Sequence, residues 1–239
     1  MKELRSGLYL FGQILSAVVI CFAMIICYPF PIIRDKVIKS WAHFNLWTLG
    51  WLCGVHYRLQ GQENIPTGPA IIVSNHQSAW ETLFFQLVFP PLSFVLKKQL
   101  LWIPFFGWGL AAYHPIAIDR SKKKRALDQL ITQGKERLDA GRWLVIYPEG
   151  TRMAPGNPGK FQIGGAMIAA KTAAPIIPIA HNGGVFWAKR GFVKYPGTID
   201  IVIGAPIVTE GRKARDLNQE SEEWIKRTLE TLPKSVTAN

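Results

Sequence analysis

His76 and Glu81 stand five residues apart in the run Val73-Ser74-Asn75-His76-Gln77-Ser78-Ala79-Trp80-Glu81-Thr82. A histidine whose Nδ1 proton is taken by a carboxylate is fixed in one tautomer, and its imidazolium is stabilised. Nε2 is then left to act as a general base. On one continuous helix an offset of five is about 140° of rotation, which would splay the two side chains apart. They meet only if His76 lies in a loop and Glu81 in the first turn of the helix that follows. Ser78, Ala79, Trp80 and Glu81 have the pattern of a capping box, which predicts that the helix starts at Ser78 and leaves His76 outside it. The same residues admit a plainer reading, in which Glu81 only caps the helix and His76 is a satisfied loop histidine.

The flanking stretches say where this turn sits. Ala70, Ile71, Ile72 and Val73 form a short, β-branched apolar run, the mark of a strand buried on both faces. Residues 82–89 read as a buried helix closed by Pro90 and Pro91. The polar turn therefore falls at the end of a strand, where open α/β sheets bind ligands. Further strands are predicted at 57–59, 93–96, 115–118, 144–147, 176–180 and 199–203, alternating with helical stretches. Such alternation predicts an α/β fold: a single domain with a mixed, largely parallel sheet flanked by helices. The clearest helix spans 121–140, capped by Ser121, with Leu127, Leu130, Ile131 and Leu138 on one face and Gly141 beyond its end. The polar tail from Arg212 is expected to hold a helix around 222–229.

Before this domain, residues 7–33 contain no charge. That length is enough to span or deeply enter a bilayer. No small-residue cleavage pattern closes the stretch, so an uncleaved anchor is expected, with a turn back at Pro29 and Pro31 as the alternative. Residues 37–51 are apolar and tryptophan-rich, as in an interfacial helix or a helix docked on the domain. The division expected is a hydrophobic and interfacial helical anchor over 1–54 and an α/β domain over 55–239. The excess of Lys and Arg beyond the apolar stretch places that domain on the cytoplasmic face of the membrane.

Composition agrees: 49% hydrophobic residues and nine tryptophans point to a membrane-facing surface. A net charge of +12 suits anionic headgroups, phosphorylated substrates or an acidic partner. Nucleic acid is not expected as a partner, because no zinc-finger spacing, RNP-type motif or basic heptad array occurs. Three cysteines in apolar stretches imply neither a disulfide framework nor a metal quartet.

A second strand-end turn follows residues 144–147: Pro148, Glu149, Gly150, Thr151 and Arg152. Gly150 permits close backbone approach, Thr151 offers a hydroxyl, and Arg152 offers a planar fork suited to phosphate. Arg120 ends the run Ile116-Ala117-Ile118-Asp119-Arg120, and a surface ion pair would also explain it. Taken together, the pattern is more specific than its parts. Asn75-His76 with Glu81, Ala117 to Arg120, Pro148 to Arg152, and Ala174-Pro175-Ile176-Ile177-Pro178 resemble, in order and spacing, the four blocks of the glycerolipid acyltransferases. The closest resemblance is to the 1-acyl-sn-glycerol-3-phosphate (lysophosphatidate) acyltransferases, and it covers about residues 55–206. Two positions depart from the family pattern: the first block usually ends in Asp, here Glu81, and the second usually begins with Phe, here Ala117.

The resemblance implies that His76, oriented by Glu81, removes the proton from the sn-2 hydroxyl of lysophosphatidic acid, which attacks the thioester of acyl-CoA or acyl carrier protein to give phosphatidic acid. It further implies that Arg120 and the turn Glu149, Gly150, Thr151 and Arg152 hold the acceptor's phosphate, with Lys98 assisting. Glu149 would repel a phosphate, so it is expected to pair with an arginine or lysine. Ser78, committed as a cap, leaves no acyl-enzyme to be formed, and neither metal nor resident cofactor is implied. His181 lies at the edge of the site with no acid placed to orient it. Three rivals remain: an enzyme of the same fold acting on another lysophospholipid or an aminolipid, a hydrolase, and a non-catalytic membrane-surface adaptor. No Gly-x-Ser-x-Gly elbow supports the hydrolase.

Overall fold

A computed structural model describes residues 1–104, 106–119 and 123–236. Two long helices, α1 (Lys2–Ile26) and α2 (Pro31–Cys53), lead through Gly54, in the left-handed conformation (φ +67°), into β1 (Val55–Gln60). The chain continues through β2 (Ile71–Ser74), α3 (Trp80–Val88), β3 (Leu92–Lys97), α4 (Phe106–Ala111), β4 (Ile116–Ile118) and α5 (Lys123–Asp139). It ends with β5 (Trp143–Ile146), α6 (Gly164–Thr172), β6 (Ile176–His181), α7 (Gly183–Phe186), β7 (Gly197–Ile203) and α8 (Ala214–Thr231).

Seven strands form one sheet in the order β1-β7-β6-β2-β5-β3-β4, every neighbouring pair parallel except the antiparallel β6 and β7. Each strand expected from the sequence is present, in the mixed, mostly parallel arrangement anticipated. The short apolar runs become strands because helices cover both faces. Ile72 and Val145 point into a core shared with α1, α2 and α3, while Ile71, Val73, Leu144 and Ile146 point into one shared with α5, α6 and α8. With side chains alternating across the pleat, a run apolar at every position satisfies both cores.

Registration matters for function. β2 pairs with β5, Val73 opposite Ile146, so the turns leaving these strands lie side by side. The histidine run and the Glu149 turn are thereby brought together although they are more than seventy positions apart in the chain.

Two helix boundaries differ from expectation, and a third lies outside the described residues. The helix after β2 starts at Trp80, two residues past Ser78, because Ser78 Oγ accepts the Trp80 N–H at 3.2 Å instead of the amide of Glu81. The helix predicted at 121–140 is described from Lys123, and the Ser121 cap lies outside the described residues. The final helix runs over Ala214–Thr231, longer than 222–229, since Leu217, Ser221 and Ile225 bury one continuous face.

The N-terminal segment is a helical hairpin. The chain reverses between α1 and α2 at the prolines singled out above, and Trp41 Nε1 donates to Ser16 Oγ at 3.1 Å across the pair. Ser6 Oγ accepts the Lys194 N–H at 2.9 Å, and Gly109 of α4 approaches Cys21 so closely that a Cβ there would lie 2.9 Å from its Cα. Tyr9, Met24, Ile38 and Leu49 belong to the same core as the sheet residues Ile72 and Val145. The hairpin is thus packed into the domain, and residues 1–54 and 55–239 meet at an element boundary while sharing one core.

Candidate active site

β2 ends at Ser74, and the next five residues form a loop whose backbone is fixed at several points. The side chain of Asn75, almost fully buried, donates through Nδ2 to the His181 carbonyl at 2.9 Å and accepts the His181 N–H at 3.0 Å, continuing the β2–β6 ladder by one rung. The His181 ring donates Nε2–H to the Asn75 carbonyl at 2.9 Å and accepts the Gly183 N–H at Nδ1, 3.1 Å away. Both of its nitrogens are committed and the residue is fully buried, which holds its pKa below the ordinary 6.5 and keeps it neutral. Gln77 Oε1 takes the Gly184 N–H at 3.1 Å. His181 is therefore a clasp for the loop, with no nitrogen left for proton transfer.

His76, in the loop, and Glu81, in the first turn of α3, meet as their types and spacing suggested. Nδ1 lies 2.7 Å from Glu81 Oε1, which also accepts the N–H groups of Gln77 at 3.0 Å and Ser78 at 2.9 Å; Oε2 shares the Ser78 N–H at 3.1 Å. Glu81 is 0% exposed. Burial pushes its carboxyl up, but the hydrogen bond and charge of the His76 ring, with the Ser78 amide, hold it below its ordinary value of 4.5. It is ionised at neutral pH and accepts the hydrogen bond from Nδ1–H, so Nε2 is the basic nitrogen. Among the described residues Nε2 has no hydrogen-bond partner. The imidazole stacks on the Tyr147 ring, centroids 4.0 Å apart and planes 12° apart.

The turn after β5 clamps the backbone of His76 from the other side. Glu149 Oε2 accepts the His76 N–H at 2.7 Å, Glu149 Oε1 accepts the Gly159 N–H at 3.3 Å, and the Met153 N–H donates to the His76 carbonyl at 2.7 Å. Glu149 was expected to pair with an arginine or lysine. Among the described residues it makes no such ion pair, because two backbone amides already occupy both oxygens. Burial raises its pKa, and those amides lower it only in part.

His76 opens on a cavity of about 1160 Å³. Its lining includes the turn residues Glu149, Gly150, Thr151 and Arg152, together with the cations Lys97, Lys189 and Arg190. The same cavity is lined by the apolar side chains of Val95, Ile118, Leu127, Leu130, Ile146 and Ile163. Lys98 does not line this cavity; β3 delivers its last residue, Lys97, and Lys98 begins a short 3₁₀ turn with its side chain outward. Arg120 lies outside the described residues. Ala117, the departure in the second block, is not on the cavity wall; its backbone N–H and C=O are bonded to the Gln133 amide, at 3.3 and 3.4 Å. Tyr147 and Lys189 were not singled out beforehand. The position of Tyr147 just before Pro148 offered a signal of sorts, and Lys189 offered none.

A histidine–carboxylate pair at a strand end, beside a cavity lined by both cations and apolar side chains, has the parts of an enzyme site for general-base chemistry on an amphiphilic molecule. Residues 56–182 match the family described as Acyltransferase. The chain is 48% identical over 204 residues to the 1-acyl-sn-glycerol-3-phosphate acyltransferase of Pseudomonas aeruginosa, spanning 84% of this chain and 79% of that one. It is 26% identical over 237 residues to that of Cocos nucifera, spanning 98% and 77%. Its fold matches the crystal structure of the 1-acyl-sn-glycerophosphate (LPA) acyltransferase of Thermotoga maritima with a TM-score of 0.80, at 25% identity over the whole of both chains. The chain therefore belongs to the acyltransferase family, among the 1-acyl-sn-glycerol-3-phosphate acyltransferases, and is an enzyme rather than an adaptor.

Proposed function

We propose that this enzyme transfers an acyl chain from a thioester, acyl-CoA or acyl carrier protein, to the sn-2 hydroxyl of 1-acyl-sn-glycerol 3-phosphate, forming phosphatidic acid. The observation that carries this reading is the His76–Glu81 contact of 2.7 Å at the mouth of a cavity that also holds Arg152. Nε2 takes the hydroxyl proton as the oxygen bonds to the thioester carbonyl carbon. The tetrahedral intermediate collapses, the C–S bond breaks, and the imidazolium returns the proton to the departing thiolate. Glu81 offsets the imidazolium charge between those two steps. No acyl-enzyme is required, and Ser78 is buried with its Oγ bonded to the Trp80 amide. The thioester supplies the activated acyl group, so the reaction needs neither a metal nor a resident cofactor.

Arg152, in the cavity lining, suits the acceptor's phosphate, and the apolar lining residues suit a hydrocarbon chain. Ala117 does not line the cavity, so this departure from the family pattern gives no reason to prefer another acceptor. α1 is long and apolar enough to cross a bilayer, with only 17% of its most apolar stretch buried in the protein, so most of that surface is left for lipid. In this reading the domain lies on the cytoplasmic face, beside both soluble donors, as the excess of Lys and Arg beyond the apolar stretch favours.

The test is steady-state kinetics with lysophosphatidic acid and with its dephosphorylated analogue, each donor supplied separately. The phosphorylated acceptor should be strongly preferred, and Arg152→Ala should raise its KM about tenfold or more, with the donor's KM little changed. Equal use of both acceptors would overturn the assignment.

A further inference from the structure

The loop 187–191 follows α7 and lies beyond the matched family region, which stops at residue 182, yet it contributes two cations to the catalytic cavity. Lys189 Nζ donates to Thr151 Oγ1 at 3.2 Å and to the Arg152 carbonyl at 2.8 Å, binding this loop to the turn that presents Arg152. A hydroxyl that accepts from an ammonium group keeps its own hydrogen for another acceptor. Arg190 adopts φ +60°, a left-handed conformation disfavoured for a residue with a side chain. The Ala188 carbonyl accepts the Gly191 N–H at 2.9 Å across this tight turn. Among the described residues the Arg190 guanidinium has neither an ion-pair partner nor a hydrogen bond, although it lines the cavity.

Charge on the described part of the wall is one-sided. Lys97, Arg152, Lys189 and Arg190 face it against one carboxylate, Glu149, whose oxygens already accept two backbone amides. Four cations without an available acid repel one another, and a phosphate ester is the ligand chemistry that relieves the repulsion.

We infer that Lys189 and Arg190 form a second phosphate-recognition pair: Lys189 fixes the Thr151–Arg152 turn and directs the Thr151 hydroxyl at a phosphate oxygen, while Arg190 binds the phosphate directly. This extends the function proposed above by adding residues outside its four blocks. The phosphate belongs to the acceptor lipid or to the donor's phosphate-bearing arm, and separate KM values distinguish the two.

Arg190→Gly removes the guanidinium and relaxes the left-handed backbone, so it does not threaten the fold. Lys189→Met removes the ammonium group, and Lys189→Arg restores a cation. Purified full-length variants should show about a tenfold rise in the KM for one substrate, lysophosphatidic acid or the thioester, with kcat changed far less. Lys189→Arg should recover part of the loss. Whichever substrate's KM moves identifies the phosphate. Unchanged KM values for both substrates, or a fall in kcat alone, would overturn the inference. If wild-type enzyme instead used the dephosphorylated acceptor equally well, it is the reading of the acceptor that would fail, and the donor arm would still test this loop.

Discussion

A glutamate where the family pattern ends in aspartate has an extra methylene to place, and here the side chain folds back over its own helix start. The carboxylate then reaches Nδ1 of His76 and the N–H groups of Gln77 and Ser78 together. A glutamine would keep the shape but could accept with one oxygen only, and its NH₂ would face donors. Glu81→Gln should lower kcat by about 10²–10⁴-fold, since the tautomer and charge of the base both depend on the carboxylate. It should also cost about 2–3 kcal/mol of stability by leaving buried donors unmet. The pH dependence follows from the sign of the shift: because the folded pKa lies below 4.5, the carboxylate's contribution is fully present above that value and is lost as pH falls through the folded pKa. The stability gap between wild type and Glu81→Gln, measured by denaturant unfolding, should be flat near neutral pH and close only in acid. The pairing of His76 with Glu81 was legible in the sequence because it is local. The stacking of His76 on Tyr147 was not, since it arises from β2 and β5 being neighbours in the sheet.

Among the elements, the turn after β5 has two tasks that its composition does not separate. Arg152 faces the cavity, but Glu149 holds the His76 loop through an amide 73 positions away, a contact that leaves no trace in sequence spacing. Its role is therefore positional. Glu149→Ala should lower kcat while leaving both KM values nearly unchanged, whereas Glu149→Gln, which can still accept one amide, should retain more activity. A larger rise in the acceptor's KM than fall in kcat would instead place Glu149 on the substrate. Strands were readable throughout because runs such as Ile71-Ile72-Val73 serve cores on both sides of the sheet. The start of α3 was misplaced by two residues because Ser78 bonds locally to Trp80, and Lys97 was passed over for Lys98 because one position decides which side of a strand end a side chain takes.

For the whole molecule, α1 and α2 both pack into the core, and α1 also carries the apolar surface that suggests membrane association. Phe11 is 69% exposed, Leu15 56% and Val18 50%, all on a helix whose opposite face packs against the domain. Charges on that exposed face should weaken membrane binding without unfolding the protein. Phe11→Lys with Leu15→Lys should shift the enzyme from sedimenting with anionic vesicles toward the supernatant, since lysine inside a membrane helix costs about 2.5–3.5 kcal/mol. The apolar stretch was legible from residue types; that it folds back and shares a core with the sheet was not, because an apolar face reads alike whether lipid or protein covers it.

The whole account depends on Nε2 of His76 taking a hydroxyl proton at the mouth of that cavity. The most direct measurement is single-turnover acyl transfer by His76→Ala, with circular dichroism and vesicle binding recorded on the same preparation. The expected result is a rate about 10²–10⁴-fold below wild type with fold and membrane binding intact; transfer at close to the wild-type rate would contradict it.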